Sequence, residues 1–330
     1  MKMAFVLLIA GFLPWAACAQ TYSDQSPFQT KSLAKESFKK AEVETSGGNI
    51  TVTGVPAAEA KIEVFVSPNN DRNENLSRDE IQKRLDEFYD LSISVANDKL
   101  TAIAKPKVHS MNWRRGVSVS FKLYIPQEVS TDLNTSGGDI RLSNLSGGTQ
   151  DFNTSGGNLD LDHLSGKITG RTSGGNIDLR NSKEDIDLST SGGDVKAINC
   201  QGRIKLVTSG GSVNGNKIEG ELSAHTSGGD VRLDGLSCSL ETSTSGGNID
   251  VSMATLGKYV RINNSGGDID LQVPKNLGLD LRLSGDKVRV EELNNFSGRK
   301  DENEINGKMN GGGIPITVDG GSGRVSLTFK

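Results

Sequence analysis

Through the middle of the chain, apolar and polar residues alternate in short bursts that return at a fixed interval. After successive Gly-Gly pairs come the triplets Ile177-Asp178-Leu179, Val195-Lys196-Ala197, Val231-Arg232-Leu233 and Ile249-Asp250-Val251. Half an interval later a second alternation begins at Ile168, Ile186, Ile204, Leu222, Leu240 and Val260. Two residues further on stand Gly170, Leu188, Leu206, Ala224, Thr242 and Ile262. A period of two over a few residues marks a strand with one buried face. The pattern therefore predicts two short strands in every interval.

The interval is set by a repeated corner. Its serines lie at 136, 155, 173, 191, 209, 227, 245 and 265, with spacings of 19, then 18 five times, then 20. So short and regular a period predicts a solenoid whose coils stack. Neither strand of a coil buries its apolar face alone, so neighbouring coils must pair in parallel, in register, about 4.8 Å apart. The fold class is then all-β, a parallel β-solenoid or β-helix with two-strand coils of about 18 residues. Equivalent positions form ladders along the axis. The residues after Gly-Gly read Asp139, Asn158, Asn176, Asp194, Ser212, Asp230, Asn248 and Asp268, never two aspartates in succession. Stacked carboxylates would repel, so this column is expected where solvation is poor. The strand-centre column tolerates two Asp-Asp steps and is placed in solvent, where neighbours such as Asp178 and Lys196 add little. A turn ladder is expected through Gly174, Gly175 and Asn176, Gly192, Gly193 and Asp194, and Gly228, Gly229 and Asp230. Glycine is expected there for positive φ, and Ser, Asn and Asp for hydrogen bonds to turn backbone.

The ends differ from the middle. Residues 1–19 read as a secretory signal, with Lys2, an apolar run from Ala4 to Leu13, and Ala17-Cys18-Ala19 before Gln20. That run is far short of a membrane span, and nothing later is long and apolar enough. Cleavage before Cys18 would instead leave a lipid anchor there, although Trp15 stands where lipoproteins usually have leucine. Residues 20–130 read as an N-terminal cap and first strands, with an early corner at Thr45 and a helix over 77–90. The helix has a Ser77–Glu80 capping box, a Leu76–Ile81 staple, and Ile81, Leu85 and Phe88 on one face. Residues 131–272 are the regular repeats, and 273–330 a C-terminal cap with strands at Leu279–Leu283, Lys287–Leu293 and Val325–Phe329.

Composition narrows the chemistry. In 330 residues there are 40 Gly, 5% aromatic residues and a net charge of −4, which favours neither nucleic acid nor an anionic membrane as partner. His109, His163 and His225 are not spaced with acids or cysteines as a metal or nucleophile cluster would be. The glycines form neither a P-loop nor a dinucleotide fingerprint. Calcium-binding β-rolls need an obligatory aspartate and a nine-residue period, which GG[ND] lacks. No metal and no cofactor are expected. Asp160 and Asp178 are spaced for an acid–base pair, but a solvated face explains them without a cleft. Cys200 and Cys238 fall two coils apart, too far for a disulfide, so both are expected as free thiols with Cys200 buried. The unusual surface candidate is Trp113, Arg114 and Arg115, suited to stacking on a sugar or meeting an anionic polymer, or else a hairpin loop covering the core.

The export segment, the TSGG[ND][IV]xL units over 135–272, the TSGGNITVTG unit and the closing INGKMNGGGIPITVDGGSGRVSLTF together resemble the bacterial β-strand-repeat proteins called putative adhesins. The resemblance covers most of the chain after residue 19. It implies a parallel β-solenoid at the cell envelope and brings no catalytic residues. The expected function is an exported, non-catalytic repeat protein of the periplasm or cell surface. Its partner would be an envelope polymer, glycan, peptide or protein, and a monomer would suffice. The alternatives are a periplasmic envelope-stress scaffold and a carbohydrate-active β-helix enzyme.

Overall fold

The computed structural model describes residues 26–69, 77–107, 116–291 and 293–330. The chain is nearly all strand. Its first part contains β1 (Gln29–Ser32), β2 (Lys40–Thr45), β3 (Ile50–Val55), β4 (Lys61–Pro68), helix α1 (Arg78–Phe88), β5 (Tyr89–Ala96), β6 (Lys99–Pro106) and β7 (Val117–Pro126). The regular part continues with β8 (Ser130–Asn134), β9 (Ile140–Leu145), β10 (Thr149–Asn153), β11 (Leu159–Arg171), β12 (Ile177–Arg180) and β13 (Lys183–Ser189). Four long strands follow, each bent through a corner: β14 (Val195–Val207), β15 (Val213–His225), β16 (Val231–Thr244) and β17 (Ile249–Asn264). The last are β18 (Ile269–Val273), β19 (Leu279–Ser284), β20 (Lys287–Val290), β21 (Phe296–Lys300), β22 (Glu304–Met309), β23 (Ile314–Asp319) and β24 (Arg324–Phe329).

The coils stack as the periodicity requires. Val195 pairs with Val213, Val213 with Val231 and Val231 with Ile249, all in parallel register. On the opposite side Ile186, Ile204, Leu222 and Leu240 pair in the same way. The molecule therefore has two faces, each a long sheet, with a thin apolar layer between them. Ile177, Leu179, Ile186 and Leu188 of one coil are all buried. Burying each such side chain contributes about 1.5–3 kcal/mol, and every coil repeats the set.

Two long-range pairings lie outside the regular interval. The early corner at Thr45 is stacked on the one at Thr135: β2 pairs with β8 and β3 with β9. β6 and β7 in turn lie against β2 and β3 and form the preceding rung. Residues 56–129 are thus an excursion that returns to the end of the stack. It carries antiparallel β5 beside β6, and antiparallel β4 between β7 and β1. At the other end β23 and β24 pair in parallel with β17 and β18, and β19 and β20 pair in parallel with β23 and β24 as a further rung, with β21 and β22 antiparallel beside β19.

Helix α1 has Ser77 as N-cap, its hydroxyl accepting from the Glu80 N–H at 3.2 Å. Leu85 and Phe88 are buried, with Ile81 packed against the same core. Leu76, the expected staple partner, lies outside the described residues.

The expected positive φ falls on the other corner. None of Gly174, Gly175, Gly192, Gly193, Gly228 and Gly229 is among the positive-φ residues. Those occupy the opposite turn: Asn144, His163, Asn181, Asn199, Lys217 and Gly235 have φ between 49° and 65°. Gly166, Gly202 and Gly220, with φ of 103° to 120°, follow them. The left-handed residues thus cluster in this looser turn, where Asn and Gly recur because they tolerate positive φ best.

Candidate binding surface

The TSGG[ND] corner is explained by contacts between coils. The second glycine of each pair sits against the second glycine of the preceding coil. A Cβ on Gly175 would lie 1.9 Å from the Gly157 carbonyl oxygen, and one on Gly193 would lie 2.1 Å from that of Gly175. Glycine is required there for close approach rather than for φ. The buried threonine ties the same atoms together. Thr190 Oγ1 donates to the Gly175 carbonyl at 2.8 Å and accepts from its own coil's Gly193 N–H at 3.4 Å. Thr154, Thr172, Thr208, Thr226 and Thr244 repeat the pair of bonds. Asn264 stands in for threonine with its amide.

The residue after Gly-Gly forms a second ladder. Its side-chain oxygen accepts from the backbone N–H of the equivalent residue one coil on. The chain of bonds runs from Asp139 to Asn158, Asn176, Asp194 and Ser212 at 2.8–2.9 Å. It continues through Asp230 and Asn248 to Asp268, and ends on the Arg324 N–H at 2.9 Å. Asn, Asp and Ser exchange freely because each supplies an acceptor oxygen. The turn ladder is therefore a fastening along the edge of the stack.

The faces carry the groups free to meet a partner. On the first face, Asp160 and Asp178 are both held by Arg180, at 2.5 and 3.0 Å. Asp178 is register neighbour to Lys196, but its ion pair is with Arg180. The bridge engages one oxygen of each carboxylate, Asp160 Oδ1 and Asp178 Oδ2.

Further along this face a channel of about 620 Å³ runs parallel to the axis. One wall is the ladder Lys196, Asn214, Arg232, Asp250, Asp270 and Ser326. The other contains Ile198, Asn216, Asp234, Ser252 and Gln272. Between them the floor is the backbone of Gly215, Leu233, Val251 and Leu271, the last three of which turn their side chains inward. The first wall is the strand-centre column of the sequence. The second was legible as the positions two residues later, where half-buried Ile198 is an apolar residue pointing outward.

On the second face His225 sits between two serines of adjacent coils. Its Nε2 lies 2.7 Å from Ser223 Oγ and its Nδ1 2.8 Å from Ser243 Oγ. Burial pushes its pKa below the ordinary histidine value, assisted by Lys205 and opposed by Glu241. Asp185 is held below the usual carboxylate range by the bidentate Arg203 guanidinium, at 2.7 and 3.1 Å. Tyr259 donates to Glu221 at 2.9 Å while Arg261 stacks on its ring.

Cys200 and Cys238 are free and buried. Burial raises both thiols, Cys238 to about 12. Among the described residues no three His, Cys, Asp or Glu side chains converge as a metal cluster would. No described helix is long and apolar enough to cross a membrane. Trp113, Arg114 and Arg115 lie outside the described residues.

Two solved structures and one family model are similar to this chain. A crystal structure of a putative adhesin from Bacteroides fragilis NCTC 9343 is similar at 12% identity and a TM-score of 0.38, covering 92% of this chain and 96% of that one. A putative cell adhesion protein from Clostridium sporogenes ATCC 15579 is similar at 11% identity and a TM-score of 0.22, covering 92% and 98%. No curated protein matches. A family model described as Toastrack DUF4097 matches residues 165–328, the span of the most regular coils and the closing rung. Residues 165–328 are thus similar to the Toastrack DUF4097 family.

Proposed function

We propose that this chain is an exported, non-catalytic repeat scaffold of the cell envelope that holds a partner against the outward side-chain ladders of its faces. The observation that carries the reading is the strict register of those ladders. Lys196, Asn214, Arg232, Asp250 and Asp270 occupy consecutive rungs of one rigid sheet, so their spacing is fixed before any partner arrives. Preorganised groups lose little entropy on binding, which favours recognition of an extended, repeating partner. The apolar N-terminal run ending at Ala17-Cys18-Ala19 supports export.

Fractionation with protease shaving of intact cells tests it. The expected result is a chain outside the cytoplasm. Removal by whole-cell protease would favour a surface role, and release only on opening the envelope a periplasmic one. A cytoplasmic chain would end the reading.

A further inference from the structure

We propose that the free edge of β5 is a docking strand for a second copy of this chain, and that two copies join there about a two-fold axis through Ile93. The second faces of the two copies then form one sheet, and the two stacks run away from each other.

β5 is the outermost strand of the second face at the N-terminal end. It pairs with β6 on one side and, among the described strands, with nothing on the other. Which groups face outward follows from the hairpin. Asn97 and Asp98, at φ of 51° and 57°, make a two-residue turn, and Ala96 faces Lys99 across it. Antiparallel partners alternate between bonded and non-bonded pairs. Ala96, Ser94, Ser92 and Asp90 therefore bond to β6, while Leu91, Ile93 and Val95 turn their N–H and C=O groups to the open side. Two contacts agree with this phase. The Lys107 N–H donates to the Phe88 carbonyl at 2.9 Å, and the Ile93 carbonyl accepts from Lys31 Nζ at 3.4 Å rather than from β6.

The edges of the stack are not alike. At the far end β20 and β21 also pair on one side only among the described strands, but they carry exposed Lys287 and Arg289, and Arg299 and Lys300. β1 has four residues and contains Lys31. Short length and edge cations keep a sheet from pairing with other chains. β5 has eight residues, and from Leu91 to Ala96 it has no charge, proline or glycine.

The strand's own symmetry names the occupant. Leu91-Ser92-Ile93-Ser94-Val95 reads nearly alike in both directions. Antiparallel pairing about Ile93 sets Ile93 against its counterpart, Leu91 against Val95, Ser92 against Ser94 and Asp90 against Ala96. The half-buried row of Leu91, Ile93 and Val95 continues across the joint, and the exposed serines meet on the outer side. No like charges lie opposite one another. A two-fold contact closes at two copies, whereas β5 laid on β20 or β21 of another copy would meet cations and would not close. Lys31 opposes the joint. Its amine holds the central carbonyl, and the two-fold axis brings two such amines together.

The test is sedimentation equilibrium of the purified chain from about 10 µM to about 1 mM, the range suited to so small a contact. A monomer–dimer equilibrium is expected. Ser92→Lys with Ser94→Lys sets two pairs of like charges opposite one another and should weaken it about tenfold or more. Ser92→Lys with Ser94→Glu makes both pairs attractive and should restore at least the original affinity. Both serines are exposed, and melting curves check that each variant is folded. Lys31→Ala should strengthen the dimer, and Lys205→Ala, in mid-stack on the same face, should leave it unchanged. Hydrogen exchange should show residues 89–96 gaining protection as concentration rises. The proposal fails if the chain is monomeric throughout, if the two double variants associate alike, or if Lys31→Ala weakens the dimer. It also fails if Lys205→Ala weakens it as much as the Lys/Lys variant. A monomer whose 89–96 amides are protected at every concentration would show that the chain covers its own edge, and would end the proposal too.

Discussion

At the residue scale, the two glycines of each corner are not equivalent. A Cβ on Gly192 meets nothing closer than 3.5 Å, whereas one on Gly193 comes within 2.1 Å of a backbone oxygen. Neither has positive φ. Gly192→Ala should therefore change stability by less than about 1 kcal/mol, while Gly193→Ala should cost about 2–3 kcal/mol through overpacking. Chemical denaturation of the two variants checks this directly, and equal losses would refute the close-approach account. Thr190 gives a second test. Thr190→Val leaves the Gly175 carbonyl and the Gly193 N–H unsatisfied in a buried corner, at a cost of about 1–3 kcal/mol. Thr190→Ser keeps the hydroxyl and should lose clearly less. The cysteines supply a third. With both thiols buried and raised, neither Cys200 nor Cys238 should react with a thiol reagent at pH 8 until denaturant is added. Peptide mapping of labelled sites would report this.

Elements in this molecule are matched to their neighbours along the stack rather than built alone. Phe152 is fully buried and projects over Gly170 in the next coil, where a Cβ would lie 2.1 Å from the ring. Gly170→Ala should cost about 1–3 kcal/mol and Phe152→Ala about 3–5 kcal/mol. The double variant should cost clearly less than the sum, because the clash disappears with the ring. Strict additivity in a denaturation cycle would show that the two do not share the space. Gln150, in the same strand as Phe152, is also fully buried where the next coil has Ile168. It is satisfied by Thr131 Oγ1 at 2.6 Å and by the Val129 and Gly147 carbonyls at 3.2 and 3.3 Å. That polar plug is tolerable only because every atom of it is paired.

For the whole molecule, the coil is the unit of both stability and recognition. Deleting residues 190–207 removes one complete 18-residue interval. It would bring Thr208 over the Gly175 carbonyl in place of Thr190, and Ser212 next to Asn176. A stack held by nearest-neighbour contacts should close over that gap. We expect a folded, shorter solenoid with a cooperative melt. Deleting nine residues instead should turn every inward side chain of the broken coil outward and abolish cooperative unfolding. Circular dichroism melts with limited proteolysis distinguish the two outcomes.

Much of this was legible in the chain. Alternation after each Gly-Gly, the 18-residue interval and the helix beginning at Ser77 are local patterns, and local patterns report periodicity. They sufficed for two strands per coil, parallel stacking and free cysteines. They misplaced the positive φ, because a Gly-Gly pair looks the same whether it is needed for a turn or for contact with a neighbour. The distinction lies in the Gly157 oxygen 1.9 Å from the missing Cβ of Gly175, one coil away. The same holds for the channel: one wall was a visible column, but that two columns enclose a continuous trough depends on how the sheet lies in space. The position of the Thr45 corner was likewise decided by tertiary structure. Asp139 donates its N–H to Asn49 Oδ1 across 90 residues at 2.8 Å. The sequence by itself determined the repeating unit, since each coil carries its own alternation and its own corner. Only the tertiary structure decided which coil lies on which, because the bonds that fasten them join residues the chain holds far apart.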